Sequence, residues 1–162
     1  MSQLKEYFDK IAQKRLKARK RNSYYWNDIT RYCDYFIHDD YSVIEVGCGD
    51  GEMIGQLKGS KKAGIDFSPA MLQNASNNYP DVDFYLMDAE NITLNEKFDV
   101  VIISNVIGYL DDIQAVFEQL KKLCHRNTKV IVTYYSYLWE PLLKLAEATG
   151  LKMKTPNHPN IK

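Results

Sequence analysis

The fold is decided by the stretch Val43-Ile44-Glu45-Val46-Gly47-Cys48-Gly49-Asp50-Gly51. A short apolar strand, interrupted by one acidic residue, runs directly into a turn that contains three glycines. Glycine lets the backbone turn sharply and lets a ligand approach without a Cβ in the way. A strand, a glycine-rich turn and a helix starting near Glu52 are together typical of an α/β fold that binds a nucleotide at its first strand.

On the C-terminal side of this stretch, short apolar runs continue to alternate with helical patterns. We predict strands at 41–46, 62–66, 82–87, 99–104 and 129–134, with helices between them at 51–57, 69–78, 113–123 and 141–148. Strands that alternate with helices indicate βαβ units, and hence a parallel sheet buried on both faces. The expected fold class is therefore α/β, a doubly wound, mostly parallel Rossmann-like sheet with strand order 3-2-1-4-5.

On the N-terminal side, residues 4–20 and 26–38 have helical patterns. We divide the chain into an N-terminal helical cap segment at 1–39 and a single core domain at 40–162. Six of the eight residues from Lys14 to Arg21 are basic. This run either grips an anionic partner or forms a solvated, lysine-rich helix face. Aromatic residues do not interleave with it, which disfavours a nucleic-acid partner.

Composition narrows the class of protein further. The chain has 162 residues and a formal net charge of zero, which suits one globular domain. Cys33, Cys48 and Cys124 lack metal-type spacing and cannot all pair, so we expect a reducing compartment and no metal site. No stretch approaches the roughly 18 apolar residues of a membrane helix. We therefore expect a cytoplasmic protein with no membrane span.

The spacing of the glycines distinguishes between cofactors. A dinucleotide site requires the pattern G-x-G-x-x-G/A, in which the third small residue permits close packing of helix on strand. Counted from Gly47, that third position is occupied by the bulky, charged Glu52. A nicotinamide-dependent oxidoreductase is therefore the disfavoured alternative.

Four segments in register resemble the class I S-adenosylmethionine-dependent methyltransferases, of the small methyltransferase type 11/25 kind. Residues 45–51 resemble the family's first motif, 64–68 the end of its second strand, 87–90 its adenine-reading loop and 98–105 its fourth strand. The similarity spans roughly residues 40–150. One glycine turn occurs easily by chance, whereas four segments in order do not.

The resemblance implies S-adenosylmethionine as cofactor and a set of residues that bind it. The set is Glu45, Gly47, Cys48, Gly49, Gly51, Asp66, Phe67, Asp88, Ala89, Ser104 and Asn105. Asp66 is expected on the ribose hydroxyls, because a carboxylate makes short, charge-assisted hydrogen bonds. Phe67 is expected against the adenine and Asp88 on its amino group. Structural capping is the alternative for both carboxylates, and Glu45 is expected to support the loop rather than touch the ligand.

The acceptor side is less specific, and we assign no catalytic base. Tyr109 is the weak candidate to orient or deprotonate an acceptor, with a packing role as the equal alternative. Residues 8–12 and 22–25 resemble the leading segment that in many relatives folds over the cofactor. That resemblance implies that Arg21, Tyr24 and Tyr25 meet the methionine carboxylate and cap the acceptor site. Alternatively, the tyrosines and Trp26 simply pack the second helix onto the sheet.

Residues 107–114 and 134–143 carry a closer resemblance, to the methyltransferase portion of bacterial proteins that also contain a family 2 glycosyltransferase. This resemblance implies a small-molecule or glycan-linked acceptor. The family's usual sheet has seven strands, yet residues 151–162 contain no strand-like run. Strand five would then be an apolar edge, which proteins normally protect. Either the chain is a fragment, or a second copy or another partner covers that edge. A non-catalytic S-adenosylmethionine-binding or partner module is therefore the alternative function.

Overall fold

The computed structural model of the protein describes residues 2–21, 23–134 and 137–149. Its helices are α1 Ser2–Arg21, α2 Ser23–Tyr35, α3 Glu52–Gln56, α4 Pro69–Asn78, α5 Ile113–Leu120 and α6 Glu140–Ala148. Its strands are β1 Ser42–Val46, β2 Lys61–Asp66, β3 Asp83–Leu86, β4 Phe98–Ser104 and β5 Cys124–Thr133. Residues 151–162 lie outside the described part, as do the side chains of the basic run other than that of Arg15.

The five strands form one parallel sheet with the order β3-β2-β1-β4-β5. The predicted fold class and strand order are therefore confirmed. Strand β1 is central, and its last residue, Val46, is paired with Ile65 of β2 and with Ile103 of β4. The carboxyl ends of these three strands consequently meet at one edge of the sheet.

The central strands β2, β1 and β4 are buried on both faces. On one face, Val43, Val100 and Ile102 pack with residues of α2 and α3. On the other face, Val46 and Ile103 pack with residues of α5 and the loop after β3. A strand covered on both sides needs apolar residues at successive positions, because its side chains alternate between the two faces. This is why the central strands read as continuous apolar runs.

Three elements begin or end three or more residues away from the predicted positions. Strand β5 begins at Cys124 rather than at residue 129, because Cys124 pairs with Phe98 beyond a register shift in β4. Helix α2 begins at Ser23 and ends at Tyr35. It ends there because the N–H groups of residues 36 and 37 bond to carbonyls three residues earlier instead of four. Helix α5 ends at Leu120 and continues as a 3₁₀ turn at 121–123.

Strand β5 forms one edge of the described sheet. In the described part of the chain no strand pairs with its outer side, and Val130 and Val132 are 44% and 41% exposed. Helix α6, which follows this strand, buries none of its residues. Among the described residues, no helix combines the length and apolar character that spanning a membrane requires.

Candidate functional site

An open cleft lies where the strands end. It encloses about 720 Å³ including its mouth, and it is lined by the loops that follow β1, β2, β3 and β4 together with helix α1. Of the predicted site residues, the cleft brings together Gly47, Gly49, Asp66, Phe67, Asp88, Ala89, Ser104, Asn105 and Tyr109. Parallel strands place their ends at one edge, which explains why residues so distant in sequence converge here.

The glycine turn has two kinds of glycine, although both adopt left-handed backbone angles. Gly49 has φ +56°, and a Cβ built on it would meet only the Arg15 guanidinium, at 3.7 Å, so this position opens into the cleft. Gly51 has φ +74°, and a Cβ there would lie 2.7 Å from the Phe84 ring and 3.0 Å from the Ala75 Cβ. Gly49 therefore faces a ligand space, while Gly51 permits close packing beneath the turn.

Asp66 joins the ends of β1 and β2. Its Oδ2 accepts the Gly49 N–H at 2.8 Å and its Oδ1 accepts the Ser68 N–H at 2.9 Å. Burial raises the pKa of Asp66, and the backbone hydrogen bonds from Ser68, Gly49 and Phe67 and the Arg15 charge oppose that rise. The two oxygens of a carboxylate have about four lone pairs together, so three backbone contacts leave the group acceptor capacity for a ligand. Asp66 thus braces the turn and still presents acceptors to the cleft.

The loop after β3 is shaped by its own carboxylates. Asp88 Oδ1 accepts the Glu90 N–H at 2.9 Å, which closes a tight turn. Glu90 Oε1 in turn accepts the N–H groups of Asp111 and Asp112, at 2.8 and 3.2 Å. Glu90 therefore ties the predicted adenine-reading loop to the start of α5. The sequence prediction did not include Glu90 in the site.

The end of β4 carries the one non-glycine residue with positive φ among the described residues, Asn105 at +55°. Its N–H donates to the Thr133 carbonyl at 3.0 Å, and its amide donates to Ser104 Oγ at 3.3 Å. The Tyr25 hydroxyl donates to Asn105 Oδ1 at 3.3 Å, so α2 reaches this edge of the cleft. Left-handed non-glycine residues are enriched at functional sites, which agrees with the predicted place of Asn105.

Helix α1 supplies three cleft residues, Leu4, Phe8 and Arg15. The resemblance had placed Phe8 in a segment that folds over the cofactor, whereas Leu4 and Arg15 had not been predicted at the site. The Phe8 ring packs edge-on against Phe67 and Tyr109, with centroids 5.7 and 5.3 Å apart. The Tyr109 ring therefore makes the packing contact expected from its alternative role, and it also lines the cleft. The signals for Phe8 were this resemblance and the apolar stripe of α1, but neither says which residues the helix contacts when it docks.

Three predicted residues lie outside the cleft lining. Glu45 is buried, and its carboxylate accepts the Ile54 N–H at 3.2 Å, so it supports helix α3, in keeping with the supporting role expected for it. Cys48 is buried against Gly64, where a Cβ would lie 2.7 Å from its sulfur, and burial raises the pKa of its thiol well above the ordinary value. Gly51 is the packing glycine described above. Tyr24 is 85% exposed and does not line the cleft, and the Arg21 side chain is not described.

Comparisons with known proteins agree with this geometry. Residues 37–158 match the model of a family described as methyltransferase domain. Malonyl-[acyl-carrier protein] O-methyltransferase 1 of Ilyobacter polytropus is 28% identical over 107 residues, which are 60% of this chain and 40% of that protein. The ubiquinone/menaquinone biosynthesis C-methyltransferase UbiE of Campylobacter jejuni is 25% identical over 116 residues, 65% of this chain and 49% of that protein.

The chain thus spans less than half the length of these two curated relatives. Among solved structures, a Thermotoga maritima protein described as a SAM-dependent methyltransferase, possible histamine N-methyltransferase, superposes with a TM-score of 0.76. It is 18% identical, and the match covers 90% of this chain and 70% of that one. At this level of identity the superposition establishes the fold.

Proposed function

The chain belongs to the methyltransferase domain family, and from this premise we propose that it is an S-adenosylmethionine-dependent methyltransferase. One observation carries the proposal: the Asp66 carboxylate, bonded to the Gly49 N–H, keeps acceptor capacity toward the cleft. A carboxylate beside a glycine turn suits a ligand with two neighbouring hydroxyl groups, such as the cis-diol of a ribose.

The residues of the cleft fit S-adenosylmethionine along its length. Asp66 would accept from the ribose hydroxyls, and Gly49 leaves room for the ligand above the turn. Phe67 and Ala89 would border the adenine, with Asp88 accepting from its amino group. When bound, the cofactor supplies a methyl group on a sulfonium.

The methionine carboxylate needs a cation, and the described lining of the cleft has one cationic side chain, Arg15. Its guanidinium lies over the Phe8 ring, 5.9 Å from the centroid, beside Gly49. A guanidinium binds a carboxylate through paired hydrogen bonds. We therefore assign this role to Arg15 rather than to Arg21, which the resemblance had suggested.

The protein's own contribution to methyl transfer is alignment and the exclusion of water. Phe8, Val106 and Leu110 give the cleft apolar walls, and Tyr109 and Asn105 give it polar groups at the end of β4. A general base is optional when the methyl donor is already activated. The proposal accordingly needs no assigned base, and Tyr109 stays the candidate that could orient or deprotonate an acceptor.

We propose a small-molecule or glycan-linked acceptor, as the resemblance at residues 107–114 implies. The names of the relatives include oxygen, carbon and nitrogen methylation, so the acceptor atom has to be measured. The test is formation of the demethylated cofactor from S-adenosylmethionine, with panels of glycan precursors, acyl carrier-bound acids and phenols. Turnover that requires both the wild-type chain and one acceptor class supports the proposal; turnover unchanged in Asp66→Ala refutes it.

The alternative is a non-catalytic module that binds S-adenosylmethionine and a partner. It is favoured by the exposed edge of β5, where Val130 and Val132 face solvent. We propose that a second copy or another protein covers this edge, and light scattering on the purified chain would detect a dimer. Tight cofactor binding with no turnover on any panel would favour the module. The free thiols of Cys33, Cys48 and Cys124 support a reducing, cytoplasmic location.

A further inference from the structure

We propose that Asp9 is a positioning residue that couples the docking of helix α1 to the binding of cofactor. The inference rests on the proposed function for the identity of the ligand. It concerns the α1 seat, which we define as the contact of Asp9 with Ser68 and Ala70 together with the apolar cluster of Phe8, Ala12 and Met71.

The polar half of the α1 seat is a carboxylate at the start of another helix. Asp9 Oδ1 accepts the Ser68 hydroxyl at 2.5 Å and the Ala70 N–H at 3.3 Å. Ser68 is the N-cap of α4, and Ala70 lies in its first turn. A negative charge is stabilising at a helix N-terminus, where N–H groups lack partners within the helix. Asp9 thus attaches α1 to α4 through a favourable, directional contact.

Ser68 connects this contact to the predicted ribose site. Its side chain is fully buried, and its hydroxyl also accepts the Met71 N–H at 3.2 Å. Its own N–H donates to Asp66 Oδ1 at 2.9 Å. The same serine therefore holds the carboxylate proposed to bind ribose on one side and the carboxylate of α1 on the other.

The apolar half of the α1 seat also connects α1 to the predicted ribose site. Phe8 packs on Met71 beneath the helix, and its ring also contacts Phe67, the residue directly after Asp66. Arg15 reaches the cleft from the same helix and opposes the rise in the Asp66 pKa. Docking of α1 therefore builds one wall of the cleft. Because coupling between two binding events is reciprocal, a ligand in the cleft should in turn stabilise the docked helix.

Asp9 could instead stabilise the junction of two helices with no effect on the ligand. The chain offers a matched control for that role, Asp99. This carboxylate also accepts from one serine hydroxyl and one backbone N–H, those of Ser42, at 2.7 and 2.8 Å. It lies near the amino ends of β1 and β4, at the opposite edge of the sheet from the cleft.

The experiment compares the wild type with Asp9→Ala, Asp9→Asn and Asp99→Ala by two measurements. Limited trypsin digestion follows cleavage within 14–21, which contains six basic residues, because a helix that leaves its seat unfolds more readily and offers its backbone to the protease. Calorimetry measures the affinity for S-adenosylhomocysteine. We expect Asp9→Ala to raise cleavage without ligand and to weaken affinity by about tenfold, the scale of one lost charge-assisted hydrogen bond. Asp9→Asn should partly restore the resistance to cleavage and the affinity. Asp99→Ala should leave cleavage and affinity unchanged.

The two measurements test the coupling, the α1 seat and the proposed function separately. Wild-type affinity in Asp9→Ala, or an equal loss in Asp99→Ala, overturns the coupling. Unchanged cleavage in ligand-free Asp9→Ala overturns the α1 seat itself. A wild-type chain that fails to bind S-adenosylhomocysteine overturns the proposed function, and the ligand-free digestion still decides whether Asp9 holds α1.

Discussion

The backbone N–H of Gly49 donates to Oδ2 of Asp66 at 2.8 Å, and this bond joins the glycine turn after β1 to the carboxylate at the end of β2. Strands β1 and β2 are parallel neighbours, with Val46 paired to Ile65, so their ends meet. The bond fixes the orientation of Asp66 before any ligand arrives. A preorganised acceptor avoids the entropic cost of ordering it on binding.

The first prediction concerns pH. An ionised Asp66 accepts ribose hydroxyls, so affinity for S-adenosylhomocysteine should be full above the Asp66 pKa and lost as pH falls through it. Burial raises that pKa above the ordinary 3.8, so the loss should begin at a higher pH than an exposed aspartate would give. Calorimetry from about pH 7 to about pH 4.5 measures it, a range in which an unperturbed aspartate stays mostly ionised.

The control for the pH profile is Asp66→Asn, which should bind weakly and with little pH dependence. The described lining of the cleft contains no histidine, so this residue type offers no competing titration there. A wild-type affinity with no more dependence on pH than that of Asp66→Asn, followed down to the pH at which the chain unfolds, would contradict the role of Asp66.

The second prediction separates two glycines of one turn. Both alanine variants incur the cost of a left-handed alanine, about 1–2 kcal/mol. Gly51→Ala also forces a methyl group against Phe84, so urea denaturation should show a further loss of roughly 1–3 kcal/mol. Gly49→Ala places its methyl group in the cleft and should mainly weaken S-adenosylhomocysteine binding. Equal effects of the two variants on stability and on affinity would refute the distinction.

The third prediction tests Arg15. If its guanidinium binds the methionine carboxylate, Arg15→Gln should weaken S-adenosylhomocysteine by about tenfold or more, as loss of a charged hydrogen bond does. Binding of 5′-methylthioadenosine, which lacks that carboxylate, should be unaffected. Arg31→Gln is the control, because this arginine is exposed on α2 and pairs with Asp28. Equal losses for the two ligands would show that Arg15 acts through the fold instead.

The fourth prediction concerns Glu90. Its carboxylate accepts two backbone N–H groups at the start of α5. Glu90→Ala should lower the free energy of unfolding by about 1–2 kcal/mol and weaken cofactor binding, because the loop that carries Asp88 loses its support. Glu90→Gln keeps an acceptor oxygen, so it should recover most of the stability and most of the affinity for the cofactor. A glutamine variant as impaired as the alanine variant would mean that charge, not hydrogen bonding, is the contribution of Glu90.

The sheet and the centre of the cleft were predictable from sequence because they depend on local patterns. Apolar runs indicate buried strands, and parallel strands bring Gly49 and Asp66 to one edge. The assignment of Cys48 and Gly51 as ligand contacts had no such basis. In a tight turn, neighbouring residues face opposite ways, and these two face the interior.

The resemblance implied that residues 8–12 fold over the cofactor, but the individual contacts of α1 could not be predicted from local patterns. Asp9 and Ser68 are 59 residues apart, and no periodicity relates them. The run of basic residues was compatible with either an anion-binding or a solvated helix face, and it did not indicate that Arg15 within it reaches the cleft. Where a helix docks depends on the shape of the surface that receives it, which a one-dimensional pattern does not contain.

The most direct measurement is calorimetric titration of the wild type and of Asp66→Ala with S-adenosylmethionine, S-adenosylhomocysteine and NAD. We predict that the wild type binds the first two ligands and not NAD, and that Asp66→Ala loses at least about tenfold in affinity, as expected for a charge-assisted contact. Binding of NAD alone, or full affinity for S-adenosylhomocysteine in Asp66→Ala, would contradict the proposed cofactor site.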